Sequence, residues 1–477
     1  MKLALLGIIL VQLLGTCAPP YHRPDTDEPP AYRDEAQASQ VMPPLGELGW
    51  WEVFKDPQLQ SLLRTAVAQN YDIRVAAQRI QEAEAQYTVI ASNQYPQINA
   101  LLSAQYQQIN GKRAVLQPKS TFAPNGLLTL QYEVDLFGKV RSQAAVAAAQ
   151  VLETDFARET VTASIVSAVA TLYFQLRELD VELAISKETL AARRQSLQLV
   201  QYRFQGGIAT LQDVRQSQEL VYETAAVIPV IERTIAQTED ALSILIGGYP
   251  NAVQRGLPLT EQVALPRVPA AGIPSAILEQ RPDIRASEET LIAANAQIGV
   301  ARALLYPQFT ISAGAGAGTA QANGVALGPF VFPQSNLGQG YISILPQIVQ
   351  QIFNAGAARA NVAGTEAAKE AAVLQYVQTV HQAFGDVSDA LIAYDKNREA
   401  VIEQTAYAAA SVDALRLANL RYEGGVTSYL EVLVSDTQAY SAQISLEQAL
   451  LNERLAVVQL YKATGGGWQP EPGVAAR

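Results

Sequence analysis

The chain has 477 residues, 49% of them apolar, and a formal charge of −11 from 34 basic and 45 acidic side chains. Without a Lys/Arg cluster it lacks the basic footprint of a nucleic-acid binder. Two histidines (His22, His381), two methionines and one cysteine leave few soft or imidazole ligands for a transition-metal site and allow no intrachain disulfide.

Lys2 precedes the apolar run LALLGIILVQLL and then LGTC, the layout of a secretory signal over residues 1–16. Cleavage makes Cys17 the mature N-terminus and a lipidation site, with Thr16 where such boxes usually carry Gly, Ala or Ser. Residues 17–55 follow as the anchored N-terminal segment. No other stretch offers the ~20 apolar residues of a spanning helix, so any membrane crossing falls to strands.

From here the chain is written twice. YDIRVAAQRIQEAEAQYTVIASNQYPQI (71–98) runs in register with PDIRASEETLIAANAQIGVARALLYPQF (282–309), and RFQGGIATLQDV (203–214) with RYEGGVTSYLEV (421–432). Repeat 1 spans 56–250: a helix of about 38 residues, a β-hairpin at 96–137, a long helix at 139–204 and a return helix at 210–246. A linker at 251–280 leads to repeat 2 at 281–465, with a hairpin at 307–352, a long helix at 355–422 and a return helix at 428–464. Residues 466–477 form a tail. Tyr95-Pro96 and Tyr306-Pro307 end the first helix of each repeat, because proline cannot continue a helix and holds its predecessor extended. Asp283 falls in a first helical turn, where its charge complements free amides. At 1.5 Å per residue each long helix reaches about 95 to 100 Å.

The segments after Tyr-Pro alternate with period two. Ile98, Ala100, Leu102, Ala104 and Tyr106 oppose Asn99, Leu101, Ser103, Gln105 and Gln107, and Leu128, Leu130, Tyr132, Val134 and Leu136 oppose Thr129, Gln131, Glu133 and Asp135. Phe309, Ile311, Ala313, Ala315 and Ala317 repeat the pattern, followed by a strand around 340–352. About ten residues per strand, apolar on one face and polar on the other, is the pattern of a transmembrane barrel, and also of a soluble sheet with one wet face. Lipid tolerates no open sheet edge, and outer-membrane barrels start at about eight strands, so four strands per chain require an oligomer of two or three copies.

Other motifs carry no chemistry. GAGAGTAQANG (314–324) lacks both the GK[ST] ending of a phosphate loop and the GxGxxG spacing of a dinucleotide turn. His381 has no second histidine at metal spacing, and no nucleophile, base and acid can be grouped. The reading is of a protein that is not an enzyme and holds no cofactor or metal.

Further motifs run in order through almost the whole chain: CAPPYHRP after Cys17, WWEVFKDPQLQSLL, YEVDLFGKVRS, IPVIE with Pro229 inside a helix, LEQRPDIRASE, AQIGVARALLYPQ and the terminal LYKATGGGW. With them the chain resembles the outer-membrane factors of Gram-negative tripartite efflux systems, TolC-like, nearest the lipoprotein NodT/OprM-type branch. The resemblance implies an α+β membrane protein: a homotrimeric 12-stranded transmembrane β-barrel, four strands per chain, continued by a long periplasmic α-helical barrel with an equatorial collar. It implies an exit channel lipid-anchored in the cell outer membrane, working with a periplasmic adaptor and an inner-membrane pump. The competing reading is a non-channel periplasmic helical scaffold.

By the same resemblance Gly206, Gly207, Gly424 and Gly425 mark periplasmic tip turns, where long helices reverse and the adaptor is met. Leu430, with Glu431, Asp436 and Asp213, is the candidate aperture gate, Asp213 being equally placed to brace its own turn. Val434 and Thr437 stand where the branch carries an aspartate and an arginine, so its usual gate ion pairs do not transfer. Glu133 and Asp135 are expected in the barrel lumen, since lipid penalises ionised carboxylates.

Overall fold

The computed structural model describes residues 17–26, 29, 45–108, 120–261, 274–318, 325–327, 330–332 and 340–471. The signal segment 1–16, part of the anchored segment (27–28, 30–44), the connections 109–119 and 319–324, linker residues 262–273 and tail residues 472–477 lie outside the described residues. In chain order the elements are α1 Trp50–Val53, α2 Pro57–Gln69, α3 Tyr71–Ala91, β1 Gln97–Gln108, β2 Ser120–Val134, α4 Lys139–Gln205, α5 Leu211–Leu245, α6 Ile277–Gln280, α7 Pro282–Ala303, β3 Gln308–Gly318, β4 Val325–Leu327, β5 Phe330–Phe332, β6 Gly340–Val349, α8 Ala357–Glu423 and α9 Tyr429–Ala463. None of the described helices is long and apolar enough to cross a membrane.

The chain divides into two compact units. The first gathers residues 1–24, 80–153 and 287–375 and holds a four-stranded antiparallel sheet in the order β1-β2-β3-β6. The two hairpins are not separate, because β2 pairs with β3 from Asn125↔Gly318 to Val134↔Phe309. β4 and β5 form a small ladder of their own. Before β1, Tyr95 takes φ −117° and ψ 154°, the extended conformation that Pro96 imposes on it.

Residues 17–23 lie along α7 in this unit. A Cβ on Gly299 would stand 2.6 Å from the Ala18 Cβ and from Ser142 Oγ, so glycine admits the segment. One turn earlier Asn295 donates to the Pro19 carbonyl at 2.8 Å, and Glu288 accepts from Tyr21 Oη at 2.9 Å and Arg23 Nε at 2.8 Å. An extended chain rises about 3.3 Å per residue and a helix 1.5 Å, so five residues of the segment match about three turns of α7.

The second unit holds residues 25–79, 154–286 and 376–477. Its core contains Phe54, Tyr173, Phe174 and Tyr461, all at most 1% exposed, with Phe54 edge-on to Phe174 and Tyr461 at 6.1 and 6.0 Å. Each such ring contributes about 1.5–3 kcal/mol through burial. Buried Asp56 caps α2 by accepting from the Gln58 amide at 2.8 Å, and also takes Tyr173 Oη at 2.7 Å and the Leu257 amide at 3.0 Å.

The single helix of about 38 residues expected in repeat 1 is instead two helices, α2 and α3, broken at Asn70. That residue is extended (φ −56°, ψ 133°), and its Oδ1 accepts from the Asp72 and Ile73 amides at 2.8 and 3.1 Å. An asparagine satisfies a helix start better than it continues a helix. Pro229, by contrast, sits inside α5 without ending it.

Candidate functional site

In the sheet, β1-β2-β3-β6 register aligns the alternations of all four strands. Ile98 faces Leu130, which faces Ala313, which faces Ile344; Ala100, Leu128, Ala315 and Ile342 form the next apolar row. The other face carries Asn99, Thr129, Gly314 and Ser343, then Gln97, Gln131, Ser312 and Leu345. One-residue slippage in any strand would mix the faces, so the register is specified by the sequence pattern. The apolar face is bare in the single chain, with Leu102 86%, Ile342 82% and Ile344 71% exposed.

At the end of the sheet where β2 leads into α4, Phe137 stacks on Tyr306 at 4.6 Å and lies 6.5 Å from Phe309. The Cys17 amide donates to the Phe137 carbonyl at 3.4 Å, which places the candidate lipidation site beside these rings. Glu133, in the polar row with Thr310 and Gln347, pairs with Lys139 at 2.7 Å. Asp135 stands one residue past β2 and accepts from the Val140 and Arg141 amides at 3.2 and 2.8 Å, capping the start of α4.

In the second unit, α4 and α8 end in the same device. Gly207 N donates to Phe204 O and Ile208 N to Arg203 O; Gly425 N donates to Tyr422 O and Val426 N to Arg421 O. This is the Schellman arrangement, with Gly207 and Gly425 both at φ +73°. Nothing lies within 4 Å of a Cβ at either position, so conformation alone demands glycine there. Gly206 and Gly424 are not in the left-handed region.

The gate candidates fall into different environments. Asp213 forms a capping box with Thr210, its carboxylate accepting from the Thr210 amide at 2.8 Å. Leu430 is 59% exposed, as is neighbouring Val426 at 73%. Glu431 pairs with Arg421 at 2.9 Å and accepts the Thr427 hydroxyl. Asp436 lies inside, bound at 2.6 Å by Arg193, which is itself 4% exposed and also donates to Thr224 Oγ1 and Leu220 O on α5. Burial raises the Asp436 carboxyl, Arg193 only partly offsetting it. A cavity of about 310 Å³ opens beside this pair, lined by Ser196, Ser217 and Leu433 among others.

Sequence reasoning missed both arginines of this region. Arg203 caps α8, donating to the Tyr422 and Glu423 carbonyls at 2.9 and 3.0 Å while its guanidinium lies 4.3 Å from the Tyr422 ring. The repeated R(F/Y)xGG pattern carried that signal, whereas nothing near Arg193 in sequence points to Asp436. Among the described residues, no cluster of His, Cys, Asp and Glu is disposed to hold a metal ion.

A family model described as outer membrane efflux protein matches residues 62–248 and 273–466. The chain belongs to that family. A toluene efflux pump outer membrane protein of Pseudomonas putida, TtgC, is 33% identical over 97% of this chain and 95% of its own. The probable outer membrane lipoprotein SilC of Salmonella typhimurium is 30% identical over 98% of this chain and 99% of its own. The open-state outer membrane channel MtrE of Neisseria gonorrhoeae superposes with a TM-score of 0.84 at 29% identity, covering 95% of this chain and 99% of that one. This family member is an outer-membrane efflux channel and not an enzyme.

Proposed function

We propose that three copies of this chain pool their sheets into a 12-stranded barrel and form the exit duct of a tripartite efflux system. The observation that carries this reading is the sheet: one apolar face, an opposite face that is polar apart from the Leu101–Leu127–Gly316–Tyr341 row and Leu345, and outer edges on β1 and β6 that have no partner among the described residues. An edge in lipid must be paired, and a second and third copy supply the strands. Three copies are favoured over two because an eight-stranded barrel is filled by its own side chains and leaves no duct.

In this arrangement the apolar face meets lipid and the polar face, with Glu133 neutralised by Lys139, lines the lumen. Asp135 sits at the lumen's inner end. The chain is a duplicated unit, supported by the matched glycine ends of α4 and α8. Cys17 carries the acyl anchor: an N-acylated cysteine keeps the N–H that Phe137 accepts, and aromatic rings of the kind gathered beside it favour the membrane interface. The helices form the periplasmic part of the duct, and the described parts of the segments at 17–55, 251–280 and 466–477 contribute to a collar around it.

The turns at Gly206-Gly207 and Gly424-Gly425 form the tips that meet the adaptor, which links the duct to an inner-membrane pump. Leu430 narrows the aperture, Glu431 flanks it, and Asp436 with Arg193 and Asp213 with Thr210 brace the helices behind it. Purified protein in detergent is expected to run as a trimer and to give discrete conductance steps in planar bilayers. A monomer that gives no steps, with tips intact or altered, would overturn the proposal.

A further inference from the structure

The cavity of about 310 Å³ beside Arg193 is walled by α4, α5, α8 and α9, all within the second unit. Leu199, Leu220, Leu415, Val432 and Leu433 give it an apolar side, continuous with the buried cluster around Val200 and Tyr429. Its polar side holds Arg193 and Asp436. Ligand pockets start at about 300 Å³, so the space suits a molecule of about two rings.

Arg193 is 4% exposed, and a guanidinium so buried needs acceptors for its N–H groups. Nε donates to Asp436 Oδ2 at 2.6 Å, and Nη1 to the Leu220 carbonyl at 3.2 Å and to Thr224 Oγ1 at 2.5 Å. Nη2, on the same edge of the guanidinium as Nε, has no acceptor among the described residues. That edge often grips both oxygens of one carboxylate. Here it grips one, and Asp436 Oδ1 has no donor among the described residues. Both side chains line the cavity, so the pair presents to it a donor and an acceptor side by side.

The chemistry of the ligand follows from that pair. Arg193 and Asp436 already balance each other, so a charged ligand would enter without a counter-ion and keep its desolvation cost. Glu423 in the wall and Glu223, 3.8 Å from Arg193 at the rim, also turn away an anion, while Arg193 turns away a cation. An uncharged group with a carbonyl beside an N–H, as in a carboxamide or lactam, accepts from Nη2 and donates to Oδ1 at once. Its carbon skeleton then lies against the leucines.

We propose that this cavity binds a small uncharged amide with an apolar body, held between Arg193 Nη2 and Asp436 Oδ1. Because Arg193 belongs to α4 and Asp436 to α9, the ligand ties these two helices together. The inference stands apart from the channel reading, since every wall of the cavity belongs to one chain.

Equilibrium dialysis of the full-length protein against detergent-matched buffer tests it, with 2-naphthamide as the probe. Saturable binding is expected, about tenfold or more tighter than that of 2-naphthoate or 2-naphthylmethylammonium, which have the same rings but a charge. Leu415→Trp, which fills the apolar side, should abolish it, and Arg193→Lys, which has no second nitrogen to offer, should remove the preference for the amide. Absence of saturable binding, binding unchanged in Leu415→Trp, or a charged probe held as tightly as the amide overturns the proposal. Should Leu415→Trp fail to fold, the order of the three probes on the wild-type protein decides.

Discussion

Arg281 donates from Nη1 to the Ala463 carbonyl at 3.2 Å, finishing α9, while its other nitrogens hold Asp283 and Asp386 at 2.6 and 3.0 Å. Asn70 finishes α5 in the same way, donating to the Leu245 carbonyl at 2.8 Å. Beside each lies a left-handed glycine, Gly465 or Gly247, pressed against the backbone of Gln280 or Gln69. Arg281→Ala would take the charged donor from Asp283 and Asp386, which keep the Ile284 amide and Gln382 Nε2 respectively, and from the Ala463 carbonyl, at an arginine only 9% exposed. Breaking a fully buried pair from one side costs about 3–5 kcal/mol, and because Asp283 and Asp386 are 33% and 38% exposed the loss here should be about 2–3 kcal/mol. Arg281→Lys should recover only part, because one ammonium cannot hold Asp283 through two nitrogens and also reach Asp386 and the Ala463 carbonyl. Denaturant unfolding measures the loss; a value under about 1 kcal/mol would reduce the cluster to a surface pair.

The same cluster sets an acid dependence. Burial raises the Asp283 carboxyl, but the hydrogen bond and charge of Arg281 lower it more, leaving it below its ordinary value of 3.8. A carboxyl depressed in the folded state stabilises above its unfolded value, and that contribution is lost as pH falls through the lower folded value. Asp283→Asn should therefore be less stable than wild type near neutrality, with the gap closing on acidification below about pH 4. Parallel unfolding curves at each pH are the check. A gap that stays constant on acidification would mean the carboxylate charge is not what matters.

The two glycines of each tip turn should respond differently. Gly207→Ala and Gly425→Ala place a Cβ on a left-handed backbone and should cost about 1–2 kcal/mol locally. Gly206→Ala and Gly424→Ala meet nothing closer than 3.4 Å and should be neutral or slightly stabilising, by up to about 1 kcal/mol. Hydrogen exchange of the amides at 208–214 and 426–432 resolves this, and equal effects at both positions would contradict the assigned geometry.

What was legible in the sequence follows from how local the cause is. The strand alternation, the glycine reversals and the stop before Pro96 are each written within a few residues, and the structure holds strands or turns at those places. The break at Asn70 is not legible, because YDIR and the residues before it are all acceptable in a helix and only the capping geometry reveals the start. The β2–β3 pairing joins segments separated by the whole of α4 and α5, and Arg193 with Asp436 joins α4 to α9. Such partners are chosen by packing, and no spacing in the sequence encodes them.

Arg193 and Asp436 invite a double-mutant cycle. Asp436→Asn keeps the shape but leaves Arg193 a buried cation without its counter-charge, and Arg193→Ala leaves Asp436 without its donor; each should cost about 3–5 kcal/mol. Because Glu223 lies 3.8 Å from Arg193 at the rim, it can take up part of the charge in Asp436→Asn. The double variant Arg193→Ala with Asp436→Asn should lose less than the two singles together, by about 1–3 kcal/mol of coupling. Additive losses in denaturant unfolding would show that the residues act independently.

The sharpest contrast lies between two adjacent residues of β2. Leu128 sits in the apolar row with Ala100, Ala315 and Ile342, while Thr129 sits in the polar row with Asn99, Gly314 and Ser343. If the apolar face meets lipid, Leu128→Arg should cost about 2–4 kcal/mol near the bilayer midplane, whereas Thr129→Arg projects into water and should cost far less. Fractionated outer membranes analysed on non-denaturing gels should show Leu128→Arg depleted or unassembled and Thr129→Arg assembled. A lumen arginine repeated around the duct should also shift conductance toward anions, a change that a lipid-facing residue cannot make. The reverse outcome, with Thr129→Arg lost and Leu128→Arg tolerated, would turn the sheet inside out and remove the basis for the duct.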